Sequence, residues 1–347
     1  MARIARLTGI RRRPTVLGMS RSSLLLSVFV LVLQFCAVAW TPAEAGRPYY
    51  EEARRPFIGL GRGPVGDDPA SQLAHAEALQ AAGRVRRAER ALRVLVRYWP
   101  NTVEAAEAQW AYAESLKARG RSHRAYEAFS HLLEEYSGKV PHEEILDQQF
   151  RLALAVMEQR RGAWLFLPGF EAPERALPLL ENLVRFGPRW DYAPAAQLLI
   201  AQIHEFNSND EEAVFAYEKL ETRYPNSPEA VTAAYGRARV LSHLARRYSR
   251  HIDGVETAYI ASGMAVQRFP DAVYREEAIE NMRELRQIMA QAAYDKAHYY
   301  DRIARSPEAA IIAYERFLEQ FPEADLTETA RARLRQLQQK VHLDRNT

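Results

Sequence analysis

Nine histidines and 44 carboxylates are the side chains from which this chain could build a catalytic or metal centre. The histidines are His75, His123, His131, His142, His204, His243, His251, His298 and His342. A helix-borne zinc hydrolase needs two histidines four residues apart with a glutamate beside the first. No pair here has that spacing. His142-Glu143-Glu144 and His204-Glu205 are the densest groups of metal-capable side chains. Segments rich in Glu and Arg produce such neighbours on solvated helix faces. There is no glycine loop shaped for phosphate, no nucleophile elbow and no paired-cysteine metal motif. The chain is therefore expected to be non-catalytic, with no cofactor, no metal and no catalytic residue. A secreted enzyme whose site is assembled only by the fold is the alternative. Turnover of peptidoglycan or ester substrates would reveal it.

If the chemistry is binding, the elements that present it must explain a recurring distance. Five times an alanine precedes a proline by twelve residues: Ala88 and Pro100, Ala176 and Pro188, Ala213 and Pro225, Ala258 and Pro270, Ala310 and Pro322. Trp99, Tyr224, Phe269 and Phe321 stand just before the proline, and Phe186 two positions before Pro188. Ala125 opens a sixth copy that keeps Tyr136 and has Ser137 in place of proline. Four and seven residues after the alanine come bulky residues, as in Leu92 and Leu95, Phe129 and Leu132, or Tyr217 and Leu220. Those offsets share one helix face. The small alanine admits a neighbouring helix, and the proline ends the ladder of backbone hydrogen bonds. The copy at Ala258, with Ser262 and Ala265, is expected to pack more thinly or differently.

These features resemble the tetratricopeptide repeat, a helix–turn–helix unit of about 34 residues. Gly83 and Gly120 each lie five residues before their alanine, where the turn between paired helices belongs. Successive alanines stand 37, 51, 37, 45 and 52 residues apart, so several units are lengthened. The resemblance implies an all-α solenoid of five to six helix pairs over residues 69–322. A capping helix and tail would follow over 323–347. Helix pairs are expected at 70–82 with 84–98, 103–119 with 122–136, 142–161 with 174–186, 193–207 with 210–224, 228–247 with 251–269, and 272–303 with 307–321. Ser227-Pro228-Glu229 and Ser306-Pro307-Glu308 are read as capped helix starts.

In such a stack the first helix of each pair lines the concave face. Leu73, Glu77 and Gln80 of the first pair, and Trp110, Glu114 and Lys117 of the second, are the candidate partner-binding residues. Trp110 is equally readable as a packing residue. An apolar insertion, Gly162 to Phe170, adds Trp164 and Phe166 as candidates, either folded over the array or exposed to a partner.

Ahead of the repeats the chain changes character. Residues 1–23 hold six arginines and no acid, Leu24 to Trp40 is an apolar run, and Ala43-Glu44-Ala45 follows. This describes a secretory signal over 1–45, with an uncleaved anchor as the alternative and Met19 as a second candidate start. Residues 46–68, rich in Gly and Pro, read as a flexible linker. Cys36 is the sole cysteine and has Phe35 where a lipid-attachment motif needs a small residue. A mature chain without cysteine suits an oxidising compartment. The net charge of +3 becomes about −2 once residues 1–45, which carry +5, are set aside. That argues against nucleic acid as a partner. Arg84, Arg86, Arg87, Arg90, Arg93 and Arg97 are read as scattered around the first pair's second helix, a solvated surface or a site for an acidic partner.

A narrower resemblance rests on the first and last repeats: Gly83, Ala88, Tyr98-Trp99-Pro100-Asn101-Thr102 and Ala105 to Gln109, then Ala297 to Tyr300, Ser306 to Ile311, Tyr314 to Leu318 and Phe321-Pro322. Together they are similar to the BamD (YfiO-like) family of outer-membrane assembly factors. The resemblance implies a periplasmic scaffold at the inner face of the outer membrane. Its partners would be a barrel-inserting protein or unfolded barrel substrates, with membrane association through those partners. A general periplasmic adaptor in cell division or cell-wall synthesis is the competing expectation.

Overall fold

The computed structural model describes residues 63–158 and 172–346. All of these belong to one compact unit that begins at Arg62. The insertion with Trp164 and Phe166, the signal segment 1–45 and most of the linker 46–68 lie outside the described residues.

Among the described residues there are thirteen α-helices and no strand. They run α1 Pro69–Ala81, α2 Val85–Tyr98, α3 Val103–Ala118, α4 Ser122–Glu135, α5 His142–Glu158, α6 Leu177–Phe186, α7 Ala193–Phe206, α8 Asp210–Arg223, α9 Glu229–Arg247, α10 Ile252–Arg268, α11 Arg275–His298, α12 Pro307–Gln320 and α13 Thr327–Asn346. A 3₁₀ turn, Pro173–Ala176, leads into α6, and a π-helical turn, Tyr299–Ile303, ends α11. The architecture is an all-α tetratricopeptide solenoid of six antiparallel pairs, α1/α2 to α11/α12, with α13 packed on the last pair.

The recurring alanines explain the stacking. Ala88, Ala125, Ala176, Ala213, Ala258 and Ala310 are at most 3% exposed, and the residues four and seven places later are buried with them. The copy at Ala258 is not thinly packed. Ser262 is fully buried and returns its hydroxyl to the Ala258 carbonyl at 2.9 Å. Small residues there let α9 and α10 lie close together, which corrects the expectation of a weak unit.

Each aromatic before the proline is a helix C-cap. Trp99, Tyr224, Phe269 and Phe321 have φ between −127° and −131° and ψ between 54° and 68°, and each amide still donates to the carbonyl four residues back. The following proline excludes the α conformation from the residue before it.

In four of the six pairs the turn takes a positive φ five residues before the alanine. Gly83 has φ 71° and Gly120 φ 68° there. The fourth and sixth pairs use Ser208 (φ 58°) and Arg305 (φ 53°) at the same register.

Two expectations at helix ends need correction. Neither Ser227 nor Ser306 caps its helix with a side-chain hydrogen bond. The Ser227 hydroxyl is buried without a partner. Side-chain caps come instead from Thr102 at α3 and from Asp68 at α1, where Ser71 completes a reciprocal capping box. The predicted helix 272–303 begins at Arg275 and passes into the π turn, which re-aims the chain ahead of Arg305.

Candidate partner-binding face

The first helices of neighbouring pairs touch one another, α1 with α3, α7 with α9 and α9 with α11. Among the described residues no two second helices make comparable contact. The first helices therefore form the inner layer of the stack and the second helices the outer one.

A buried glutamine sets the register of that inner layer. The Gln72 amide nitrogen donates to the Ala91 carbonyl at 3.1 Å, Gln109 to Ala128 at 2.8 Å and Gln197 to Ala216 at 3.1 Å. Each reaches across its own pair to a carbonyl 19 residues ahead, and each glutamine is 1% exposed. The lengthened third pair breaks this rule. Gln149 instead reaches back to α4, donating to the Ser130 hydroxyl at 2.7 Å. Gln72 is further tied by the amides of Val65 and Gly66, at 2.8 and 3.0 Å, so the end of the predicted linker is fastened to α1. The ladder was not foreseen. Its signal in the sequence is a glutamine sixteen residues before Ala88, Ala125 and Ala213.

One residue past each ladder glutamine stand Leu73, Trp110 and Leu198, and one past Gln149 stands Phe150, all half-buried. Leu73 and Trp110 were expected in this row. Phe150 and Leu198 were missed; each follows a buried glutamine, Gln149 or Gln197. Trp110 is partly a packing residue, its ring edge-on to Phe129 at 5.6 Å. Glu77 and Gln80 are exposed on α1. Glu114 and Lys117 pair with each other at 2.7 Å, and Lys117 also donates to Gln148 of α5 at 2.9 Å. They bridge two inner helices as well as facing solvent.

Phe150 belongs to an aromatic group with Trp190 (5.4 Å) and Tyr192 (6.0 Å, stacked). The Trp190 indole N–H is held by Asp147 at 2.9 Å, and Tyr192 stays 52% exposed. Farther along, Arg239 forms a two-pronged bond to Glu205 at 2.9 Å on each prong. The Tyr217 hydroxyl donates to the same carboxylate at 2.6 Å. Burial, and then this bond to Glu205, pushes the Tyr217 hydroxyl well above the ordinary tyrosine range. The hydrogen bonds that Arg239 donates to Glu205 likewise raise Arg239. The inner face thus grades from half-buried apolar side chains in the first four pairs to a clamped charge network at α9.

The histidine–carboxylate neighbours of the sequence do not converge. Among the described residues no three metal-capable side chains are grouped. None of the described helices is long and apolar enough to cross a membrane.

Comparison with known proteins locates the chain more narrowly. Residues 172–346 match the family model YfiO, described as outer membrane lipoprotein. No curated protein matches. Among solved structures, a tetratricopeptide-repeat protein from Cytophaga hutchinsonii shares 14% identity at a TM-score of 0.32, over 77% of this chain and 88% of that one. YrrB, titled as a repeat protein with an unusual peptide-binding site, shares 13% identity at 0.31, over 61% and 92%. MamA from Desulfovibrio magneticus shares 17% identity at 0.28, over 60% and 99%. These likenesses are too loose to carry any functional meaning.

Proposed function

The chain belongs to the YfiO family of outer membrane lipoproteins, and from that membership we propose that it is an exported, non-catalytic scaffold assisting the assembly of outer-membrane β-barrels. Residues 1–45 direct export, 46–68 form a flexible linker to the array, and the inner helices hold protein partners in the periplasm. Those partners are a barrel-inserting outer-membrane protein or its unfolded substrates.

The observation that carries the reading is the row Leu73, Trp110, Phe150 and Leu198. Three inner helices, α1, α3 and α7, place a half-buried apolar side chain at the same register, and α5 adds Phe150 one residue past Gln149. An extended chain with alternating apolar residues, such as a strand of an unfolded barrel, meets such a row with its apolar side chains.

A capture experiment from detergent-solubilised envelopes tests it, using the full chain and its Trp110→Ala/Phe150→Ala variant. Recovery of a barrel-inserting protein by the wild type, reduced in the variant, is expected. Recovery only of division or cell-wall enzymes would replace the assembly role with the adaptor role. Turnover of peptidoglycan or ester substrates by the purified chain would overturn the non-catalytic reading.

A further inference from the structure

The fold sorts the six arginines on and beside α2 in a way that the linear spacing had concealed. Arg86, Arg90, Arg93 and Arg97 fall at offsets of four, seven and eleven, which return to one side of a helix with 3.6 residues per turn. This corrects the reading of them as scattered. All four are exposed, while Ala88, Ala91, Leu92 and Leu95 bury the opposite side. The stripe is about 16 Å long at 1.5 Å per residue. Glu89, the carboxylate of α2, flanks the stripe but is buried and occupied by Arg119 at 2.7 Å and Ser115 at 3.0 Å. Arg93 leans over the Tyr112 ring, 5.8 Å from its centre. Among the described residues no carboxylate pairs with Arg86, Arg90 or Arg97. Like charges one turn apart disfavour a helix, so this face is a cost to α2 that no carboxylate among the described residues offsets by pairing with Arg86, Arg90 or Arg97.

A second observation is where the preceding chain joins the array. The described unit starts at residue 63. A Cβ placed on Gly63 would sit 3.9 Å from the Tyr98 hydroxyl, next to Arg97 at the end of the stripe. The chain before it contains the apolar run Leu24 to Trp40. In the sequence, the first helix pair after that run is the one that carries the arginines.

We propose that the α2 stripe docks on a membrane surface bearing anionic phospholipid headgroups. A planar guanidinium fork matches phosphate oxygens two at a time. A row of basic residues along an amphipathic helix is drawn to anionic lipid. A long, exposed, unindented row suits many headgroups in a plane better than one small ligand in a pocket. This contact is separate from the inner-face partner site and stands whether or not the assembly role holds.

The test measures partition of the full chain onto phosphatidylcholine vesicles with and without phosphatidylglycerol. Three proteins are compared: wild type, Arg86→Gln/Arg90→Gln/Arg97→Gln, and a control with equal charge loss at exposed sites on α12 and α13, Arg316→Gln/Arg335→Gln/Lys340→Gln. The apolar run and the arginines of residues 1–21 are common to all three. At about fivefold per arginine, the α2 variant is expected to lose on the order of a hundredfold in its preference for anionic vesicles at low salt. The control is expected to lose little. Equal losses in both variants would reduce the effect to net charge and overturn the proposal. Unchanged vesicle partition in the α2 variant would overturn it as well, and would assign the stripe to an acidic protein partner if capture of such a protein were lost. The substituted side chains are exposed, and matching circular dichroism melts confirm that the three folds are equivalent.

Discussion

Replacing Gly83 or Gly120 with alanine isolates the backbone from everything else. A Cβ added at either glycine meets no heavy atom within 4 Å, so no clash enters. Two opposing effects are left. Alanine restricts the unfolded chain and by itself stabilises by about 0.4–1 kcal/mol. Against that, a φ of 71° or 68° costs an L-residue roughly 1–2 kcal/mol. The strain outweighs the entropy, and each substitution is expected to destabilise by about 1 kcal/mol. Gly254 supplies the control. It also has open space around its Cβ, but it lies in the first turn of α10 without a positive φ. Gly254→Ala is therefore expected to stabilise by about 0.5–1 kcal/mol. The reciprocal changes Ser208→Gly and Arg305→Gly relieve a φ of 58° and 53° and should raise stability by a few tenths to about 1 kcal/mol. Urea denaturation followed by circular dichroism reads all five, with the midpoint compared at constant slope. If Gly83→Ala shifts the midpoint upward, as Gly254→Ala should, the left-handed turn is not what holds the pair together and the reasoning fails.

Gly236→Ala is the steric counterpart. Its Cβ would lie 2.6 Å from the ring of Tyr217, which is buried and tethered to Glu205. A loss of about 1–3 kcal/mol in the urea midpoint is expected from overpacking α8 against α9. Gln109→Leu keeps much of the side chain's bulk but deletes the 2.8 Å bond to the Ala128 carbonyl. It should cost about 1 kcal/mol, whereas Gln109→Ala adds a cavity and should cost about 2–3 kcal/mol in the same assay. Asp301, whose side chain is 3% exposed, accepts both prongs of Arg333 at 2.7 and 2.8 Å. That bond holds the Asp301 carboxyl below the usual carboxylate range. A carboxyl depressed in the folded chain stabilises the fold above its unfolded value, and the contribution disappears as pH falls through the folded value. Asp301→Asn should therefore cost about 2 kcal/mol near neutral pH, and the gap from wild type should close in melts below about pH 4.

Much of the architecture was legible in the sequence because its causes are local. A proline forces the preceding aromatic out of the helix, and alanine with bulky residues at four and seven marks one buried face, so the helix pairs could be placed from spacing alone. The π turn after His298 was not legible, nor was the uncapped start at Ser227. Both depend on how the chain is held by helices distant in sequence. Ser208 and Arg305 escaped notice because the turn's demand for positive φ is visible only where glycine answers it.

What the chain determined by itself, then, is its repeat: period, polarity, helix ends and a first pair crowded with arginine. Tertiary structure decided how neighbouring pairs are joined. The glutamine ladder forms only when α1, α3 and α7 bring an amide against a carbonyl on the partner helix. Phe150 meets Trp190 and Tyr192 only because α5 and the start of α7 come together. Burial of Ala88 and Leu92 on one side of α2 turns its arginines outward as a single exposed row. Periodicity along a chain specifies which residues share a face. Which face is covered, and by what, depends on contacts between residues far apart in sequence, and those exist only once the pairs have stacked.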